Sequence, residues 1–169
     1  MKFTIIIPTV NNFEYLKLFI NSIKKNSAYE HQLIIHINGV DLTTENYLKA
    51  NNFEYTSSHT NIGLCSGVNL ASKKAKTDYI LYAHDDMYFL PKWDLHLKNE
   101  INMIDHNQFY LSMTQLSHKK GVKANLQHIY FDCGSNLNDF DEVKLLDNYS
   151  KFEFRNLQGS HWAPHLIHK

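Results

Sequence analysis

The sequence predicts an α/β fold with a mainly parallel central sheet. Three observations predict it. Short β-branched and apolar runs at residues 3–7, 33–37 and 79–83 suit strands buried on both faces, as parallel sheets require. The segments between them carry apolar residues at helical spacing. Strand and helix then alternate along the first two thirds of the chain, the pattern of βαβ units joined by right-handed crossovers.

Each element follows from local chemistry. The run at 3–7 ends at Pro8, and Asn11 or Asn12 can cap the next helix. Phe13, Leu16, Ile20 and Ile23 recur every three or four residues and make one apolar stripe. The second strand, 33–37, is broken by Asn38-Gly39, and a second helix is predicted over 43–51 with Thr44 near its start. Residues 53–57 read as a third strand. Asn61-Ile62-Gly63 reads as a loop, and 66–76 as a helix ending in lysines. A fourth strand, 79–83, follows. Beyond it the pattern loosens. Residues 95–105 fit a helix, with Leu97, Ile101 and Ile104 on one face. Residues 109–113 and 128–132 look like strands with no clear helix between them. The cluster Asp139-Phe140-Asp141-Glu142 reads as a solvated loop or helix start. In the tail, Trp162, Leu166 and Ile167 call for burial, so the chain reads as a domain cut from something longer.

Composition narrows the function. The 169 residues suit one domain. Lys+Arg and Asp+Glu both number 17, so the formal net charge is zero. That balance gives no basic surface for nucleic acid or an anionic membrane. Arg155 is the sole arginine, which nearly excludes bidentate arginine recognition of phosphate. Cys65 and Cys133 lie far apart with no CxxC spacing, against a zinc site, a redox pair or a secreted disulfide scaffold. The histidines His118, His128, His161, His165 and His168 show no tight ligand spacing and read as surface residues. The N-terminal apolar run is too short for a signal peptide, and no stretch reaches the ~20 apolar residues of a membrane span. A cytoplasmic location is the expectation.

The most telling stretch is Tyr79-Ile80-Leu81-Tyr82-Ala83-His84-Asp85-Asp86. An apolar strand ends in two adjacent carboxylates, where open α/β sheets bind ligands. The next cation along the chain is Lys92. Two unpaired carboxylates repel each other and favour a hard cation such as Mg²⁺ or Mn²⁺. A metal held there would attract a diphosphate. A solvated Asp-Asp turn is the plainer alternative.

Four blocks in this order resemble glycosyltransferase family 2, whose members share the nucleotide-sugar-binding GT-A fold. Residues 3–12 look like its first strand and nucleotide-binding turn. Ile35-His36-Ile37-Asn38-Gly39 looks like the second strand and turn. Asn61-Ile62-Gly63 through Asn69 looks like the loop and helix start beside the nucleotide. Residues 79–86, with Leu90-Pro91-Lys92-Trp93, look like the strand carrying the DxD signature and the proline-aromatic element after it. The resemblance implies a Rossmann-like, three-layer α/β/α architecture. It implies a donor-binding half at residues 1–94, and the start of an acceptor-side half at 95–169.

The implied activity is inverting, metal-dependent transfer of a sugar from a nucleotide diphosphate, UDP by preference, to a hydroxyl of a glycan, lipid or protein. With arginine nearly absent, Mn²⁺ or Mg²⁺ would neutralise the departing diphosphate. By the family pattern Asp86 contacts the metal and Asp85 the ribose. Backbone at Pro8 and Thr9 faces the base, Asn38 belongs to the second turn, and Asn61 and Gly63 shape the pocket. Gly63 would permit close backbone approach.

The chain also departs from the pattern. His84 stands at the first acid of the signature. Ile37 replaces the acid that reads uracil, Val10 an aromatic residue and Val68 a basic one. No carboxylate among Asp132, Asp139, Asp141 and Glu142 matches the general-base motif, so the base is expected outside this chain. The alternative is a non-catalytic nucleotide-binding or scaffold module of the same fold. A dinucleotide-binding Rossmann domain or a P-loop nucleotidase is disfavoured, because neither GxGxxG nor GxxxxGK[ST] is present.

Overall fold

A computed structural model describes residues 1–119, 128–153 and 163–169. Arg155, His161 and Trp162, singled out above, lie outside the described residues. The chain forms two compact units, residues 1–111 with 163–169, and residues 112–162.

The first unit holds the expected alternation. β1 (Thr4–Thr9) is buried at every position. α1 (Phe13–Asn26) buries Leu16, Phe19, Ile20 and Ile23. β2 (Gln32–Asn38), α2 (Leu42–Ala50), β3 (Glu54–Ser58), α3 (Leu64–Ser72), β4 (Tyr79–Tyr82) and α4 (Trp93–Met103) follow. β5 (Tyr110–Ser112) and β8 (His165–His168) complete a six-stranded sheet in the order β3-β2-β1-β4-β8-β5. β3, β2, β1 and β4 are parallel, with Ile6 opposite Ile34 on one side and Tyr82 on the other. β8 runs antiparallel to β4, with Leu166 opposite Leu81. The fold is thus α/β with a mainly parallel sheet and flanking helices, as the alternation predicts.

Several expectations need correction. α3 starts earlier and stops sooner than 66–76. Gly63, at φ +82°, begins it, and its last turn tightens as the amides of Lys74 and Ala75 bond three residues back, to Ala71 and Ser72. Asn12 sits at the N-cap of α1, but its side chain caps nothing. Asp41, overlooked as a cap, accepts from the Thr44 amide and starts α2 at Leu42. β8 was not foreseen as a strand. Leu166 is fully buried and Ile167 is 40% exposed, because strand side chains alternate faces.

Aromatic and buried polar groups tie α4 to the sheet. Phe3 packs against His31 and Trp93, and Phe89 against Phe19 and Trp93. Buried Asp94 accepts from the amides of Ala28, Tyr29 and Leu95 and faces His31 Nε2 at 3.1 Å.

The second unit carries β6 (Gln115–Ser117) paired in parallel with β7 (His128–Tyr130), and α5 (Glu142–Asn148). Asp141 caps α5 and Asp139 closes a loop onto the amides of Ser135 and Asn136, so the acidic cluster is a loop and helix start as expected. Cys65 and Cys133 are free thiols. Among the described residues no helix is long and apolar enough to cross a membrane.

Candidate active site

Parallel register puts the carboxyl ends of β1, β2, β3 and β4 on one edge of the sheet, where open α/β sheets bind ligands. Pro8 and Thr9 close β1, and Thr9 lies opposite Ile37. Asn38 closes β2. Asp85 and Asp86 follow β4 after Ala83, whose amide still bonds Ile6 of β1. Asn61 and Gly63 reach the same edge in the loop from β3 to α3. All of these residues belong to the first unit.

Asp85 is the constrained acid of the pair. It is half-buried, and one carboxylate oxygen accepts from Asn12 Nδ2 at 3.0 Å. Burial pushes its carboxyl above the usual range. The Thr9 hydroxyl and the Asn12 amide pull it back, and the neighbouring Asp86 charge adds to the rise. The Thr9 hydroxyl is itself buried and falls short of a well-formed hydrogen bond. Asp86 is exposed and has no hydrogen-bond or ion-pair partner among the described residues.

A second group forms around Asn38. Its Nδ2 donates to Asn61 Oδ1 at 3.0 Å, and its Oδ1 accepts from the Ile62 amide at 2.8 Å. Asn61 Oδ1 also accepts from the Gly63 amide at 2.9 Å. A Cβ on Gly63 would meet nothing within 4 Å. Its positive φ, rather than crowding within the chain, is what favours glycine there.

Sequence reasoning missed two neighbours. Asn12 was read as a helix cap, yet its side chain holds Asp85. Tyr82, read only as strand, has a buried hydroxyl with no hydrogen-bond partner among the described residues. Burial pushes that hydroxyl up to about 12, with Cys65, Asp86, Tyr110 and Asp85 adding to the rise. His84 packs its ring on Tyr82, centroids 5.4 Å apart. The departures from the family pattern have physical counterparts. Ile37 is 2% exposed and belongs to the core. Val68 packs against the buried cluster of Ile6, Ile34, Ala71, Ala75 and Ile80. Val10 is 48% exposed beside the β1 turn.

The edge offers a divalent cation few protein ligands. Among the described residues no three His, Cys, Asp or Glu side chains are grouped to hold an ion. A single free carboxylate at Asp86 suits a hard cation that takes its remaining ligands from water and a substrate diphosphate.

Comparison with known proteins agrees with the architecture. No functionally curated protein matches the sequence. Among solved structures, S. aureus TarS (residues 1–349) matches with a TM-score of 0.57 at 24% identity, over 73% of this chain and 38% of that one. The same protein has been solved with UDP and with UDP-GlcNAc. The mannosyltransferase PcManGT from Pyrobaculum calidifontis, in complex with GDP-Man and Mn²⁺, matches with a TM-score of 0.56 at 15% identity, over 66% of this chain and 34% of that one. The chain therefore spans well under half the length of these structures. The sequence model of glycosyl transferase family 2 matches residues 4–159. Covering nearly the whole sequence, that match establishes that this chain belongs to glycosyl transferase family 2.

Proposed function

We propose that this chain binds a nucleotide-diphosphate sugar at the carboxyl edge of β1–β4 and serves its transfer, with inversion, to an acceptor hydroxyl. The observation that carries this reading is the pair after β4. Asp86 is a free, exposed carboxylate, and Asp85 beside it is held in an environment that disfavours its charge. Asp86 would hold the cation, which would supply positive charge against the leaving diphosphate and lessen the Asp86 contribution to the Asp85 shift. Asp85 contacts the ribose, the backbone of Pro8 and Thr9 faces the base, and Asn38, Asn61 and Gly63 shape the wall of the pocket. Residues 1–94 form the donor half and 95–169 begin the acceptor side. The acceptor is a glycan, lipid or protein, and no residue of the chain is assigned as its base.

The metal is Mn²⁺ or Mg²⁺, and a uridine nucleotide is the first choice. TarS with UDP-GlcNAc supports the uridine choice and PcManGT with Mn²⁺ supports the metal, each by likeness of fold. A non-catalytic nucleotide-binding module is the second reading. It is favoured by Ile37, which lies in the core where the family carries its base-reading acid.

Titration calorimetry with UDP, GDP and dTDP, with and without Mn²⁺, tests the proposal. Manganese-dependent binding of one nucleotide, abolished in Asp86→Ala, is the expected result. Binding that ignores both the metal and Asp86 would exclude the metal-assisted reading.

A further inference from the structure

The wall of the proposed pocket is held by two amides whose contacts are not interchangeable. Residues 59–66 are exposed without interruption, from the end of β3 into the first turn of α3. Such a segment has little apolar burial to fix its shape. Beneath it sits Asn38, 5% exposed. Asn38 Oδ1 accepts from the Ile62 amide at 2.8 Å, and Asn38 Nδ2 donates to Asn61 Oδ1 at 3.0 Å. Asn61 Oδ1 accepts in addition from the Gly63 amide at 2.9 Å. Backbone amides only donate, so the atoms facing Ile62 and Gly63 must be oxygens. The orientation of both side-chain amides follows from that. Asn38 uses its oxygen and its nitrogen, whereas Asn61 Oδ1 accepts from both the Asn38 and the Gly63 amides.

We infer that Asn38 and Asn61 form a latch that acts on a bound nucleotide through the backbone it holds, as positioning residues rather than as ligand contacts. Both polar atoms of Asn38 are bonded within the chain and its side chain is almost fully buried, which places it to hold the loop rather than to read a base. What it sets is the Asn61-Ile62-Gly63 turn and, through the Gly63 N-cap, the start of α3. This inference rests on the nucleotide-sugar reading above.

The latch predicts an asymmetry that side-chain size does not. Asn61→Asp keeps an oxygen for both of its donors. Asn38→Asp replaces the donor with a second oxygen facing Asn61 Oδ1. Turning the Asn61 amide to meet it would leave the Gly63 amide without an acceptor.

The test pairs hydrogen exchange at the Ile62 and Gly63 amides with calorimetric titration of UDP, GDP and dTDP plus Mn²⁺. Salt at about 0.5 M screens any added carboxylate. In Asn38→Asp, exchange at both amides should quicken and nucleotide affinity fall by about tenfold, as loss of one buried hydrogen bond implies. Asn61→Asp, which keeps an acceptor for both donors, should lose less than Asn61→Ala on both readouts. Asn61→Ala, on the exposed side of the latch, should repeat the loss if Asn38→Asp does not fold. Faster exchange with unchanged affinity in Asn38→Asp or Asn61→Ala overturns the positioning role. So does equal weakening by Asn61→Asp and Asn61→Ala. Absence of nucleotide binding by wild type is a separate result: it overturns the donor reading, and the functional role of the latch with it.

Discussion

Asp85 carries a charge that its surroundings resist. Burial raises its carboxyl above the ordinary range, and the Thr9 hydroxyl, the Asn12 amide and its own backbone amide counter that in part. The sign follows directly. A carboxyl with a raised folded-state pKa costs stability when ionised at neutral pH, and the cost is relieved as pH falls from that pKa to the ordinary unfolded value. Asp85→Asn keeps an oxygen for Asn12 and removes the charge. It should raise the stability at pH 7 by about 0.5–2 kcal/mol, the usual size of a single stabilising substitution. A melting temperature below that of wild type would contradict this. Gly67 makes the opposite case, where intuition about helices fails. Alanine normally stabilises a helix interior relative to glycine. Here a Cβ would stand 2.5 Å from His36 Cδ2, on a ring that is fully buried and bonded to Thr56 Oγ1 at 2.9 Å. Gly67→Ala should therefore destabilise by about 1–3 kcal/mol, as overpacking does. Urea denaturation of Gly67→Ala alone and combined with His36→Ala checks it, because the double variant should show less than the summed loss.

At the scale of elements, β8 shows how a strand can hide in a sequence. His165-Leu166-Ile167-His168 is short and has no clean polar alternation. Its identity comes from pairing with β4, with Leu166 opposite Leu81 and Ile167 opposite Ile80. The pleat then decides which of two similar side chains matters. Leu166→Ala should cost about 2–5 kcal/mol, while Ile167→Ala, at a position 40% exposed, should stay within about 0.5 kcal/mol. Equal losses measured by chemical denaturation would mean that the register is wrong. The N-cap positions of α1 and α2 divide in a similar way. Asp41 and Asn12 are both good N-cap residues by type. Asp41 caps α2, while the side chain of Asn12 is drawn to Asp85. Nothing local distinguishes them; the carboxylate that recruits Asn12 lies 73 residues away.

For the whole molecule, the buried histidines give folding a pH signature. His31 receives the Phe3 amide on Nδ1 at 3.1 Å, so its Nε2 carries the proton that faces Asp94. That neutral ring is fully bonded, and burial, its largest influence, lowers its pKa from 6.5. His36 is lowered for the same first reason. A base with a depressed folded-state pKa is protonated more readily in the unfolded chain. Its contribution to stability is therefore complete above pH 6.5 and is lost as pH falls from there towards the folded value. Thermal melts from pH 8 to pH 5 should be flat at first and then decline. His31→Gln, which keeps the size but not the titration, should flatten the decline. A decline unchanged in that variant would assign it elsewhere.

The apolar runs and helical stripes were enough to predict strand and helix alternation through α4. Burial on both faces leaves a compositional mark that needs no knowledge of partners. The Asp85-Asp86 pair was legible for a related reason: a buried strand that ends in two carboxylates is unusual whatever surrounds it. Tertiary structure alone decided the rest. It set the antiparallel insertion of β8, the burial of Leu166 over Ile167, the use of Asn12 on Asp85 and the latch between Asn38 and Asn61. Each of these depends on contacts between residues distant in sequence, or on which face of a pleat a side chain takes. Local pattern carries no record of either. Amides are the extreme case, since the same side chain can cap, latch or bind, and only its partner selects among these.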